Sequence, residues 1–203
     1  MIKAFSKLLS IVLVVQIYTA SFAADKKFDI IQNGKSIGSA TLSEVADPKS
    51  QSITYAFQCD YTMNIGVEIS VSDYLSSIFT KDTLQNCKVV SMLNGKERFS
   101  VEQSIKSDKT YKRTVNKKDI AMTTSPILYS YIKLYTKMPS ASTKSVFSEY
   151  YGKNIDLKKT GENTFYVGAS TGNKSTFYYD AKGDLKKVSV VSSVGTYDII
   201  PRQ

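Results

Sequence analysis

The chain of 203 residues has no histidine and no tryptophan, and only two cysteines and four prolines. Without histidine it lacks the commonest general base and the commonest transition-metal ligand. Two cysteines alone would leave a zinc or iron site mostly carboxylate, which those metals rarely use. No metal, no cofactor and no catalytic residue is expected. Long apolar runs are scarce as well. One stands near the N-terminus, Leu8 to Ile17, apolar except for Ser10 and Gln16. It is too short to span a bilayer as a helix, and no later stretch is long enough to try.

What surrounds that run gives it a meaning. Lys3 and Lys7 precede it, and the small residues Ser21 and Ala23 stand at the −3 and −1 positions of a cut before Ala24. This is the layout of a secretory signal peptide, residues 1–23. No cysteine follows the run, which disfavours a lipid-anchored lipoprotein. The expected mature protein, residues 24–203, is a single β-rich domain in the periplasm or another extracytoplasmic space, soluble and monomeric. The whole chain has 27 basic and 18 acidic residues. Without Lys3 and Lys7, 25 basic residues remain and the charge is +7. Outside the cytoplasm such a surface meets anionic lipid head groups or envelope polymers rather than nucleic acid. A solvated basic surface with no specific partner is the plainer reading.

The apolar pattern alternates through most of the chain. Phe28 to Gln32 runs into Asn33-Gly34 and on to Val45, and Asn94-Gly95 joins Leu84–Leu93 to Phe99, Val101 and Ile105. Asn-Gly between alternating segments is the strongest short hairpin signal. Tyr55, Phe57, Cys59, Tyr61 and Met63 alternate with small or polar residues, as a half-buried strand does. After residue 137 comes an irregular link. Strand segments then follow at 155–157, 165–167, 176–179 and 185–191, and Tyr197–Ile200 is expected as an edge strand ended by Pro201. Residues 137–152 are too long for a plain loop in a compact domain, and a hidden element is expected there.

One stretch breaks the alternation. Ile127, Leu128, Tyr131, Ile132, Leu134 and Tyr135 fall at helical spacing behind Ser125 and Pro126, a cap and a tolerated first-turn proline. The expected fold class is therefore mainly β with one main helix: a curved antiparallel sheet or incomplete barrel wrapped on an amphipathic helix. In this register Cys59 pairs opposite Val71 and points inward, Cys87 pairs opposite Ser76 and points outward, and no disulfide forms.

Catalytic motifs do not survive inspection. Gly168-Ala169-Ser170-Thr171-Gly172 has nucleophile-elbow spacing, but it lies between strands in a chain with no histidine. Ser130-x-x-Lys133 and Lys159-Thr160-Gly161 match two penicillin-recognising motifs, without the third between them. Asp60, Glu68, Asp73 and Glu149 are scattered, and only Asp73 is placed inward by the alternation. The basic residues Lys106, Lys109, Lys112, Arg113, Lys117 and Lys118 divide between the two faces of one hairpin.

The 14 tyrosines and 9 phenylalanines are more informative. A concave face of Tyr55, Phe57, Tyr61 and Phe99, with Ile127, Leu128 and Tyr131 of the helix as lid, would be core if filled. If only partly covered, it would be a slot for a lipid-like ligand.

Asn-Gly-Lys-Ser-Ile-Gly38, Leu134-Tyr135 with Pro139, Val146-Phe147-Ser148-Glu149 with Gly152, and Tyr178-Tyr179 with Gly183-Asp184-Leu185 together resemble an uncharacterised family of exported bacterial β-rich proteins. The resemblance implies no activity and carries over no functional residue. The family's layout is similar to that of periplasmic lipoprotein-carrier proteins, which implies an incomplete barrel around a helix. The leading expectation is a non-enzymatic envelope protein that binds or carries an amphiphile. The alternatives are a structural or protein-interaction component with no small ligand, and a histidine-free hydrolase or transferase converging on Asp73 or Glu149.

Overall fold

Asn33 and Gly34 hold φ at 50° and 74°, and Asn94 and Gly95 at 49° and 74°. These paired positive values are what a two-residue hairpin needs to follow the twist of its strands. The two turns join β1 (Lys26–Gln32) to β2 (Lys35–Asp47) and β5 (Thr83–Leu93) to β6 (Lys96–Ile105). Between them lie β3 (Ser52–Asn64) and β4 (Glu68–Thr80), and beyond them β7 (Tyr111–Val115) and β8 (Lys118–Met122). The second half of the chain adds β9 (Ser145–Ser148), β10 (Lys153–Gly161), β11 (Thr164–Gly168), β12 (Lys174–Tyr179), β13 (Leu185–Ser192) and β14 (Gly195–Pro201).

In the computed structural model, which describes residues 25–122, 126–168, 172–192 and 195–202, these strands form one sheet. Its order is β8-β7-β6-β5-β4-β3-β2-β1-β14-β13-β12-β11-β10-β9. Each half is a meander of consecutive antiparallel strands, and β1 pairs with β14 to join the halves. The expected signal peptide, Ser125 and the serine of the elbow-like motif lie outside the described residues.

The main helix expected over 125–135 does not form, and the fold class is corrected accordingly. Among the described residues the helical structure is one five-residue 3-10 turn, Tyr131–Tyr135. Ahead of it the backbone is extended, with Ser130 at φ −131° and ψ 169°. Its peptide groups are taken by neighbouring strands. The Leu84 N–H donates to the Ile127 carbonyl at 2.8 Å, and the Phe147 N–H donates to the Tyr129 carbonyl at 3.1 Å. Ser130 bridges Phe147 of β9 in parallel. Tyrosines and isoleucines, which lose rotamer freedom in a helix, offered little intrinsic resistance to that competition. Residues 127–130 thus form a strap between β5 and β9, joining the first half of the sheet to its terminal strand.

Three register details differ from the alternation-based reading. Cys59 pairs with Asp73 and Cys87 with Ser77, and a bulge between Ile78 and Phe79 turns Cys87 inward with Leu84, Val89 and Ser91. Both cysteines are buried and free. They are four positions apart along β4, roughly 13 Å at the usual strand rise. Second, a two-residue turn at Asn33-Gly34 with unbroken alternation would set Ile37 opposite Ile30, but a bulge at Ile30/Ile31 sets Gly38 there. A β-carbon on Gly38 would lie 2.1 Å from the Asp60 carbonyl oxygen. Third, the C-terminal segment is an interior strand between β1 and β13, not an edge.

The hidden element after residue 137 is β9 and the turn that follows it. The 3-10 turn sits inside the curled sheet as a plug, with Ile132, Leu134 and Tyr135 buried. The Tyr135 ring is 4.6 Å from Phe57, 5.3 Å from Phe177 and 6.2 Å from Phe28, centroid to centroid. These rings come from β1, β3 and β12, so the plug ties both halves of the sheet to one core.

Candidate binding cavity

Beside the plug, the interior is not filled. A cavity of about 540 Å³ is walled by Phe57, Cys59, Leu75 and Val89 from the first half of the sheet, and by Ile155, Val167, Val190 and Ile199 from the second. Tyr131 and Tyr135 of the plug, Tyr197 of β14 and the turn residues Glu149, Tyr150 and Tyr151 complete it, and Asp73, Ser91 and Arg98 also line it. A volume of this order suits a small ligand, and apolar walls with few polar groups are the usual make-up of such sites.

The turn after β9 is held in place by Arg113. This side chain is 3 % exposed. Its guanidinium donates to the Gln103 side-chain oxygen at 3.1 Å, to the Glu149 carbonyl at 3.0 Å and to the Tyr150 carbonyl at 2.7 Å. Gly152 makes the fit possible: it holds φ at 66°, and a β-carbon there would meet the guanidinium at 2.6 Å. A second clasp lies at the strap. The Tyr111 hydroxyl donates to the Leu84 carbonyl at 2.7 Å and accepts from the Ile127 N–H at 3.3 Å. Arg113 and Tyr111 belong to β7, so both ends of the sheet are fastened through this one strand.

Glu149 is 1 % exposed. One carboxyl oxygen accepts from the Ser77 hydroxyl at 3.1 Å, and the other has no hydrogen-bond partner. The buried hydroxyl of Ser130 faces this carboxyl without closing a bond of good geometry. Burial holds the acid above the usual carboxylate range, against the opposing pull of the serine hydroxyls and nearby backbone N–H groups. Half-buried Asp73 is raised by the same cause, opposed by Ser91 and Arg98, and its Oδ1 is also unpartnered.

The sequence-derived site residues divide around this cavity. Phe57 and Tyr131 line it. Tyr61 lies behind the wall, its ring 5.1 Å from that of Tyr197 and its hydroxyl pushed up to about 12 by burial. Phe99 is half-buried and stacks at 4.3 Å on Tyr150, which does line the cavity. Tyr55 is core, edge-on to Phe79. Ile127 is buried in the strap, whereas Leu128 is 58 % exposed and faces away. Among the described residues, no group of three or more cysteine, aspartate or glutamate side chains gathers as a metal site. Nor is any helix there long and apolar enough to cross a membrane.

Sequence reasoning did not gather the residues that shape the polar end: Glu149 stood among scattered carboxylates and as a hydrolase candidate, and Arg98 was not singled out. Arg113 was read as one of six basic residues on a hairpin. The usable signal was its parity, since Tyr111, Arg113 and Val115 alternate with Lys112 and Thr114.

Residues 28–202 match a family described as a domain of unknown function, DUF6134. No curated protein matches the chain. Among solved structures, the chain is similar to a β-barrel-like protein of the domain of unknown function DUF1849 from Brucella abortus. The two share 8 % identity at a TM-score of 0.59, over 89 % of this chain and 96 % of the other. At that identity the likeness concerns the fold alone. The chain belongs to the DUF6134 family, and the resemblance to an uncharacterised β-rich family stands on that match.

Proposed function

We propose that this DUF6134 protein is an exported, non-enzymatic binder or carrier of an amphiphile, held inside the curled sheet. The observation that carries the reading is the cavity of about 540 Å³, walled by side chains from both halves of the sheet and left open by the plug. Its walls bring together apolar residues from seven strands, which is an odd arrangement for a core that needs only to be filled, since interiors close-pack. A few polar groups at defined points would orient a ligand. The position of the unpartnered carboxyls argues against hydrolysis: Glu149 sits in the turn after β9 and Asp73 on β4, with Leu75 between them in the wall, and the Ser77 hydroxyl bonded to Glu149 is fully buried and off the cavity wall.

The test is native mass spectrometry of the protein purified without detergent from a bacterial periplasm, with the same sample run under denaturing conditions. A reproducible non-covalent adduct that extracts into organic solvent is the expected result. Val89→Phe, which puts a ring into the cavity, should lose the adduct while keeping the β-sheet circular dichroism signal. A protein that carries nothing and takes up no added lipid would refute the reading and direct work to partner proteins.

A further inference from the structure

We infer, taking the cavity to be the amphiphile site proposed above, that the ligand's polar group is a hydrogen-bond donor, an ammonium before a hydroxyl, seated against Glu149.

Glu149 is fully buried and lines the cavity, and its second carboxyl oxygen is unpartnered among the described residues. The Ser130 hydroxyl beside it is also buried and unpartnered. Asp73 offers a further unpartnered oxygen higher on the same face of β4, four residues from Ser77, which marks the level of Glu149. That is roughly 13 Å of strand, with Leu75 in the wall between. The other two unmatched buried atoms among the described residues, the Ser130 hydroxyl and the Gln103 amide nitrogen, belong to residues off the cavity wall. What the wall itself lacks, therefore, is donors, since buried acceptors are ordinarily matched.

The cations do not redress this. The Arg113 guanidinium is committed to three oxygens and is not part of the cavity wall. Arg98 is exposed and lines only the Asp73 side, where it opposes that carboxyl's raised pKa. The Tyr131 hydroxyl is spent on the Ser175 hydroxyl at 2.8 Å. The Lys133 ammonium is off the cavity wall, donating to the Leu128 carbonyl at 3.1 Å and lying 3.9 Å over the Phe79 ring. A carboxylate or phosphate head placed at the inner end would meet a carboxyl group and no cation on the wall there, whereas an ammonium would meet an acceptor. The groups that face Glu149 from the surrounding elements are Ser77 of β4, Cys87 of β5, Arg113 of β7, Ser130 of the strap, and Tyr131 and Lys133 of the plug. Burial raises the Glu149 carboxyl, and pairing with an ammonium pulls it back toward ionisation, so amine binding favours release of protons to the buffer.

Calorimetric titration of the purified protein at neutral pH with dodecylamine, dodecanol and dodecanoate tests this. The expected order is amine, alcohol, acid, with at least about a tenfold gap between first and last. Amine binding should release a proton, seen as a dependence on buffer ionisation enthalpy that the alcohol does not show. Glu149→Gln should bring the amine and the alcohol within about threefold. Should that variant fail to fold, the ranking and the proton release in the natural protein decide. Dodecanoate binding as well as the amine, or an amine advantage untouched by Glu149→Gln, would overturn the donor assignment and leave the cavity reading standing. Failure of all three to bind would overturn both.

Discussion

Replacing Arg113 by methionine tests whether the barrel-like shape depends on the clasp between β7 and the turn after β9. Methionine fills much of the same space and removes all three donated hydrogen bonds. Bonds to a charged donor contribute about 1.5–3 kcal/mol each, so the gross loss is roughly 5–9 kcal/mol. Against this, the variant no longer buries a guanidinium, and several kcal/mol of desolvation cost is recovered. The two together leave a net destabilisation of about 2–4 kcal/mol, much of it from the Glu149 and Tyr150 carbonyls left buried without donors. Urea unfolding followed by tyrosine emission, the chain having no tryptophan, should show a lower midpoint with an unchanged slope. Amide exchange should quicken locally at Tyr151 and Gly152, whose N–H groups donate to Ser148 across that turn. Arg113→Lys should recover less than half of the loss, because one ammonium cannot serve three fixed acceptors. A methionine variant within about 0.5 kcal/mol of the natural protein, with exchange at the turn unaltered, would refute the clasp.

Gly38→Ala should cost about 1–3 kcal/mol or more, since the new carbon collides with backbone atoms of Asp60 and Tyr61 rather than with a side-chain end that could move. The melting temperature should fall by about 2–4 °C per kcal/mol. Glu149 has a folded pKa above its unfolded value, so its contribution to stability is whole below about 4.5 and is lost as pH rises through the folded value. The urea midpoint of the natural protein should therefore decline over that window relative to Glu149→Gln; parallel pH profiles would contradict this. Burial pushes both thiols far above the usual range. A disulfide-exchange reagent should find no thiol within minutes in the native protein and two after unfolding, and rapid native labelling would show that the interior opens.

The hairpins were legible because their turns are chemical. Asn33-Gly34 and Asn94-Gly95 can hold their backbone angles with little strain, and alternation then fixes which residues of β3 point inward. The register beyond the first pairs was not legible, because a bulge such as that at Ile78/Phe79 has no residue signature and turns every later side chain over. That is why Cys87 was placed outward. The helix over 125–135 failed for a different reason. Most of its apolar residues, Leu128 excepted, are indeed buried or half-buried, but the extended strap and the 3-10 plug bury them through tertiary bonds rather than as a helix. Of the site, the aromatic wall showed in the pattern at Phe57 and Tyr131. Asp73 was placed inward by the same alternation and lines the cavity, but the burial of Glu149 was not legible, because its turn is positioned by an arginine 36 residues away in sequence.

Apart from the strap, the described strand pairs are all between chain neighbours, with the single exception of β1 with β14. Such a chain can assemble hairpin by hairpin as it is delivered, each step closing only a short loop. The final stitch must wait, because β1 is made first and its partner occupies residues 195–201. Until those seven residues arrive, two free strand edges, on β1 and on β13, stand open to any other chain. A protein shortened by its last strand would thus be left with two adhesive edges rather than one missing strand. For this fold, the last strand is the fastening between the two halves of the sheet.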